Sequence, residues 1–365
     1  MANVYVSHSG SDTSPYDTEA KASDSIQDAI DVAVDGDTVW IKADSTYTLT
    51  AGITIDVANN IKIKGYYLTI GDQDFEGDYC KDASHGWAII DSDNGLWNAL
   101  QVWLFYDIVF ENIKIINTYN ASKSYSCIDT TDAVIMGGIV VRNCWLDGGG
   151  YGVSICDPMG LLIDDCKFTG TYFKNPKSLC DNGPVRVNRG TWGTIISNCT
   201  FEPTGALDQC IFSGGSSVIT GCTFIIDNDA TSVIRHDLNS IFIANNSIYS
   251  SGSDNGIYLS SDAISATIYN NIIQGVTTPI NDDSGRNIYN DYNCYSGNSE
   301  AHGVSSDPDF VDAANGDFTP RNPNVLRGGK PDINGNFTPM GAIYVPQQFS
   351  AGKPFNPGRL SIIRN

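Results

Sequence analysis

The sequence predicts an all-β chain, a right-handed single-stranded parallel β-helix. This is a solenoid of three-strand coils with an N-terminal capping helix and an extended C-terminal tail. Three observations predict it: a five-residue corner motif recurs seven times, a second strand register recurs with similar steps, and one amphipathic segment near the amino end reads as a helix.

The corner motif is carried by Glu111-Asn112-Ile113-Lys114-Ile115, Arg142-Asn143-Cys144-Trp145-Leu146, Asp164-Asp165-Cys166-Lys167-Phe168 and Ser197-Asn198-Cys199-Thr200-Phe201. It continues in Thr220-Gly221-Cys222-Thr223-Phe224, Ala244-Asn245-Asn246-Ser247-Ile248 and Tyr269-Asn270-Asn271-Ile272-Ile273. The third positions, 113, 144, 166, 199, 222, 246 and 271, are separated by steps of 31, 22, 33, 23, 24 and 25 residues. The short steps are single coils and the longer ones carry inserted loops. An apolar–bend–apolar pattern makes two short strands meeting at a corner, where Asn tolerates a left-handed backbone. Stacking the coils about 4.8 Å apart makes a ladder of these side chains and turns the next residue, Cys or Asn, inward.

The second register begins at Val153, Val185, Cys210, Val233 and Ile257, at steps of 32, 25, 23 and 24 residues, and supplies a third strand per coil. Strand alternation from those starts predicts an outer face made of Ser154, Cys156, Arg186, Asn188, Ile211, Ser213, Ile234, His236, Tyr258 and Ser260. At the amino end, Ile26, Ala29, Ile30 and Ala33 share one helical face, and Gly36 follows where the helix stops. Such a helix covers coil edges that would otherwise pair with another chain. The chain divides into an N-terminal strand and capping helix (1–37), the β-helix (38–300), a closing module (301–345) and a tail (346–365).

Asn3-Val4-Tyr5-Val6-Ser7 with Gly10-Ser11-Asp12, then Ser25-Ile26-Gln27-Asp28-Ala29-Ile30 and Gly36-Asp37-Thr38-Val39-Trp40-Ile41, resembles the opening of pectin-lyase-like right-handed β-helix proteins. Asp307-Pro308-Asp309-Phe310-Val311-Asp312, Gly316-Asp317-Phe318 and Met340-Gly341-Ala342-Ile343-Tyr344 resemble the closing module of that superfamily. The resemblance implies the fold. The superfamily mixes lyases, hydrolases, epimerases, adhesins and phage virion proteins, so function has to come from the site.

In enzymes of the superfamily the substrate lies along the outer face of a strand column. Here that column offers Arg186 and His236 about two coils, or roughly 10 Å, apart, with Arg189, Asp157 and Asp237 at the neighbouring turn. Proton abstraction beside a uronate carboxylate needs a base plus a cation, which Arg186, Arg189, His236 and Asp237 can supply. Ile211 and Ile234 interrupt this strip. Asp164 and Asp165 are the paired carboxylates a hydrolase needs, yet they sit at the corner held elsewhere by Asn. Tyr119, Tyr125, Tyr172, Phe173 and Tyr258 are rings suited to stacking on sugars or a partner protein. Asp72, Asp74 and Glu76 have the alternation of a calcium loop, and no cofactor is otherwise required. Cys144, Cys166, Cys199 and Cys222 occupy equivalent interior positions and read as buried free thiols.

Lys and Arg number 21 against 42 Asp and Glu, a net charge of −21, which repels phosphate backbones and anionic membranes. Nucleic acid is excluded as a partner, and no apolar run reaches the length of a membrane helix. Residues 333–365 carry Lys353, Arg359 and Arg364 and no acid, a local +3 against −24 for the rest. Phe349, Phe355, Leu360, Ile362 and Ile363 are apolar anchors on that segment, and its prolines favour an extended path. The tail is expected to dock on a neighbouring subunit or to fold back along its own acidic coils.

With an amino end lacking the apolar region of a signal peptide, these features point to a virion-type surface protein, of the phage decoration, fibre or tailspike-like kind. It is expected to sit at a virion surface or outside the cell, to partner with other subunits or itself, and to display a glycan- or receptor-binding surface. The alternatives are a polysaccharide lyase or glycoside hydrolase acting on an extracellular glycan, and a secreted adhesin module.

Overall fold

The computed structural model describes residues 2–56, 59–72, 86–93, 98–103, 107–116, 126–130, 137–156, 160–171, 183–187, 193–205, 207–227, 230–286, 288–313, 317–332, 336 and 338–342. Three parallel sheets form the body. The first has 11 strands, from Asn3–Val6 to Ile288–Asp291; the second has 9, from Thr46–Thr48 to Ile272–Gln274; the third has 9, from Ile53–Ile55 to Thr278–Asp282. Each strand pairs with its equivalent one coil before and after, as in a right-handed parallel β-helix. The amino-terminal strand, set apart from the solenoid in the sequence reading, is the first strand of the first sheet, with Asn3 beside Thr38 and Val6 beside Ile41.

The corners form as the motif requires. Asn112, Asn143, Asp165, Asn198, Asn245 and Asn270 have φ between 47° and 59°, and Gly221 takes the same corner with φ 67°. Only Gly, Asn and Asp enter this left-handed region at low cost, which explains the restricted choice at that position. Neighbouring corner amides bond to one another, Asn143 Nδ2 donating to Asn112 Oδ1 at 2.7 Å and Asn270 Nδ2 to Asn245 Oδ1 at 3.2 Å.

The residue after each corner faces inward. Cys144, Cys166, Cys199 and Cys222 are free and buried, and each thiol lies within reach of a backbone carbonyl, for example Cys199 Sγ and Ser197 O at 3.1 Å. Asn246, Asn271 and Asn293 continue the column, with Asn246 Nδ2 donating to Asn271 Oδ1 and Asn271 Nδ2 to Asn293 Oδ1, both at 3.0 Å. Two positions further on, Phe168, Phe201 and Phe224 stack with centroids 4.8 and 4.7 Å apart. Buried rings and β-branched side chains, each worth about 1.5–3 kcal/mol of burial, make one continuous core.

The helix α1 (Ile26–Val32) is capped by Ser25, whose side chain accepts from Asp28 N, and it buries Ile26, Ala29 and Ile30 in that core. At the far end, Phe310–Asp312 and Asp317–Pro320 form an antiparallel pair, and a short helix, α2 (Pro323–Leu326), places Val325 against Ile272, Cys294 and Met340.

On the outside of the first sheet, Lys64, Glu111, Arg142 and Asp164 stand in successive coils as an alternating charge ladder. Lys64 pairs with Glu111, and Arg142 lies 3.3 Å from Glu111 and 3.6 Å from Asp164. Asp164 also accepts from Ser197 Oγ at 2.7 Å and Asn198 Nδ2 at 3.0 Å. Of the Asp164–Asp165 pair, one acid therefore holds the ladder and the other turns the corner.

Candidate functional site

The third sheet decides which side chains face outward. Its register places Val153 beside Val185, Val185 beside Ile211, Ile211 beside Ile234 and Ile234 beside Ile257. The alternation expected from Cys210 and Val233 is therefore off by one residue in two coils. The cause is local: Cys210 and Ile211 are both buried, as are Val233 and Ile234, so two successive apolar residues enter the core in the middle of the strands Leu207–Ser213 and Ala230–His236. A one-residue shift exchanges the faces.

The corrected outer column runs Asp129, Ser154, Arg186, Phe212, Arg235, Tyr258 and Asn281. Ile211 and Ile234 do not interrupt it, because both point inward. His236 and Ser213 also point inward. His236 is fully buried, with Nδ1 3.3 Å from Ser213 Oγ and Nε2 3.4 Å from the Asn239 carbonyl oxygen. Burial pushes the His236 pKa below its ordinary value, outweighing those two contacts and the Asp237 charge.

Arg235, absent from the sequence candidates, is the centre of the strip. Its Nε donates to Asp237 Oδ1 at 2.9 Å and its Nη2 to Asp237 Oδ2 at 3.2 Å. The guanidinium lies 5.8 Å from the Phe212 ring centroid and 5.6 Å from that of Tyr258. Tyr258 donates its hydroxyl to Asp283 at 3.0 Å, and burial together with that carboxylate raises the phenol pKa. Arg186, two coils earlier, lies 5.4 Å from the Tyr151 ring and 3.4 Å from its hydroxyl. Cation and ring thus alternate over successive coils, each guanidinium held against an aromatic face.

Beside Arg186 the column is polar and enclosed. Asp129 and Ser154 are 3% and 1% exposed. Asp129 accepts from Asn98 Nδ2 at 3.0 Å. The buried Ser154 hydroxyl, Gln209 amide nitrogen and Ser232 hydroxyl have no hydrogen-bond partner among the described residues. Buried polar groups of this kind are costly; of the three, Ser154 belongs to the outer column.

Arg189, Asp157, Tyr119, Tyr125, Tyr172 and Phe173 lie outside the described residues, as do Asp74, Glu76 and the tail anchors Phe349, Lys353, Phe355, Arg359 and Arg364. Asp72 is described, and its carboxylate accepts from the backbone N–H of Tyr67, Leu68 and Thr69 at 3.0, 2.6 and 3.0 Å. It closes a turn; these bonds hold its pKa low although burial opposes them. A second cluster missed in the sequence stands outside the second sheet, where Lys114 Nζ sits 3.4 Å above the Trp145 ring and Lys167 pairs with Glu202 at 2.8 Å. Its signal was present: Lys114, Trp145 and Lys167 follow consecutive inward positions of the corner motif.

No family model matches the chain, and no curated protein sequence matches it. Among solved structures it is similar to one titled crystal structure of pectate lyase Pel9A, with a TM-score of 0.54 and 14% identity, covering 94% of this chain and 96% of that one. Three parallel sheets, left-handed corners and this likeness along nearly the whole chain agree: the protein has the right-handed parallel β-helix fold.

Proposed function

We propose that this protein is a display protein of a virion surface or another extracellular setting, and that the outer strip of its third sheet binds a carboxylated glycan. The observation that carries this reading is the run Arg186, Phe212, Arg235 and Tyr258 in four successive coils. Guanidinium groups pair with carboxylates in a fork geometry; Phe212 is buried behind Arg235, and half-buried Tyr258 is the ring that a sugar can reach. Arg186 adds a cation to this face of a chain of net charge −21, while the charge of Arg235 is shared with Asp237.

A polysaccharide lyase or hydrolase working on the same strip is equally compatible with the fold shared with a pectate lyase. Binding is favoured over cleavage by the position of two acid–base candidates. His236 faces the coil interior, and both oxygens of Asp237 accept from Arg235.

Titration with uronate oligosaccharides and neutral glycans, alongside ultraviolet detection of unsaturated ends and a reducing-end assay, tests the reading. Uronate binding without turnover is expected, unchanged by a calcium chelator and weakened about tenfold or more in Arg235→Ala, as for loss of a charged hydrogen bond. Turnover that disappears in Arg186→Ala or Arg235→Ala would establish the enzyme instead.

A further inference from the structure

The outer face of the first sheet carries a feature that the glycan strip does not use. Val109, Val140, Leu162, Ile195, Val218 and Phe242 stand side by side in six successive coils. At about 4.8 Å per coil they form an apolar ridge roughly 24 Å long. Ile195 is 36% exposed and the others are half-buried. On one flank, Gly160 and Gly193 leave open space where side chains would stand. A continuous exposed apolar row marks a surface that another segment covers.

The end of the described chain points to that segment. Lys330 lies over the rings of Tyr269 and Tyr289, on the outside of the first sheet, at 4.8 and 5.2 Å. Gly341 N then donates to the Asn270 carbonyl, and Ala342 N to Ser247 Oγ one coil earlier. The backbone is therefore running back along the solenoid, towards earlier coils, when residue 342 is reached. In the same strands, two positions nearer the corner that Ala342 adjoins, Ile195, Val218 and Phe242 are followed by the short side chains of Ser197, Thr220 and Ala244. Residues 343–365, extended, reach about 75 Å at most, three times the ridge. They include Phe349, Phe355, Leu360, Ile362 and Ile363, and they carry +3 against −24 on the body.

We propose that residues 346–365 lie along this ridge of their own chain, antiparallel to the order of the coils, with their apolar side chains on Val109–Phe242. Tethering at Ala342 gives the tail a millimolar effective concentration. A second copy has no such advantage and brings another −21 of like charge. A ridge one side chain wide also suits an extended segment better than a second flat sheet.

The test uses full-length protein carrying a benzophenone amino acid in place of Ile195 and, separately, in place of Thr223, the register neighbour of Ser247 outside the second sheet. Irradiation of the Ile195 protein should give a product of monomer mass, with cross-linked peptides from 346–365, and the Thr223 protein should give none. Tail cross-links only at dimer mass, from position 223 in place of 195, or from neither position overturn the proposal. Independently, tryptic cleavage after Arg359 should be about tenfold faster in Ile195→Asp, since cleavage follows the released population, while the coils stay resistant. An unchanged rate overturns the proposal as well.

Discussion

The imidazole of His236 is enclosed between Ser213 and the Asn239 carbonyl and is kept from protonating chiefly by burial. In the unfolded chain the same ring takes a proton near its ordinary value of 6.5. The unfolded state therefore binds more protons as pH falls through that value, and stability present above it is lost below it. The slope is at most about 1.4 kcal/mol per pH unit for one proton. Urea unfolding of wild type should show this loss between about pH 7 and 5, and His236→Gln should flatten it. Coincident slopes would assign the loss to another group. Cys199 is a second residue whose surroundings alter the expectation. A buried hydroxyl there has the Ser197 carbonyl at the place where the thiol now lies, 3.1 Å away. Cys199→Ser should therefore cost about 1 kcal/mol, the low end for a buried polar group. A loss above about 3 kcal/mol would mean that the hydroxyl does not find that acceptor.

Among the ladders, the interior asparagines couple coils more tightly than the cysteines do. Asn271 accepts from Asn246 N and Nδ2, and donates to the Ile243 and Tyr269 carbonyls and to Asn293 Oδ1, all at 3.0 Å. Asn271→Leu would strand several buried groups at about 1–3 kcal/mol each. Its unfolding free energy should fall by at least about 3 kcal/mol, far more than in Cys199→Ser. Equal losses in the two variants would show that the amides add nothing beyond packing. The contrast explains why one inward column can change from Cys to Asn: each solution satisfies the coil interior, one with weak thiol donors and the other with a closed amide chain.

For the molecule as a whole, stability in a solenoid is the sum of coil and interface terms. The coils holding Phe168, Phe201 and Phe224 have stacked rings and neighbours on both sides, whereas the last strand of the first sheet, Ile288–Asp291, is only half-buried and has a partner on one side. Hydrogen exchange should be slowest in Thr194–Ser197 and Thr223–Ile226 and faster in Thr278–Asp282 and Ile288–Asp291. Uniform protection from end to end would instead indicate all-or-none unfolding of the whole stack.

The sequence by itself determined the coil, the corner and the column. Asn112, Asn143, Asn198, Asn245 and Asn270 mark left-handed corners because few residues tolerate that backbone, and the cysteine spacing marks the inward position one step later. The site was legible only in part. Arg186 and Tyr258 fell on the outer strip, but Arg235 and Phe212 did not, and His236 fell on the wrong face. Periodicity two carries no information about phase where two apolar residues, such as Cys210 and Ile211, follow one another. Only pairing with the neighbouring coil sets that phase. The tertiary structure likewise decided that Val109, Val140, Leu162, Ile195, Val218 and Phe242 share one ridge, because residues some 22 to 33 positions apart become neighbours only when the coils stack.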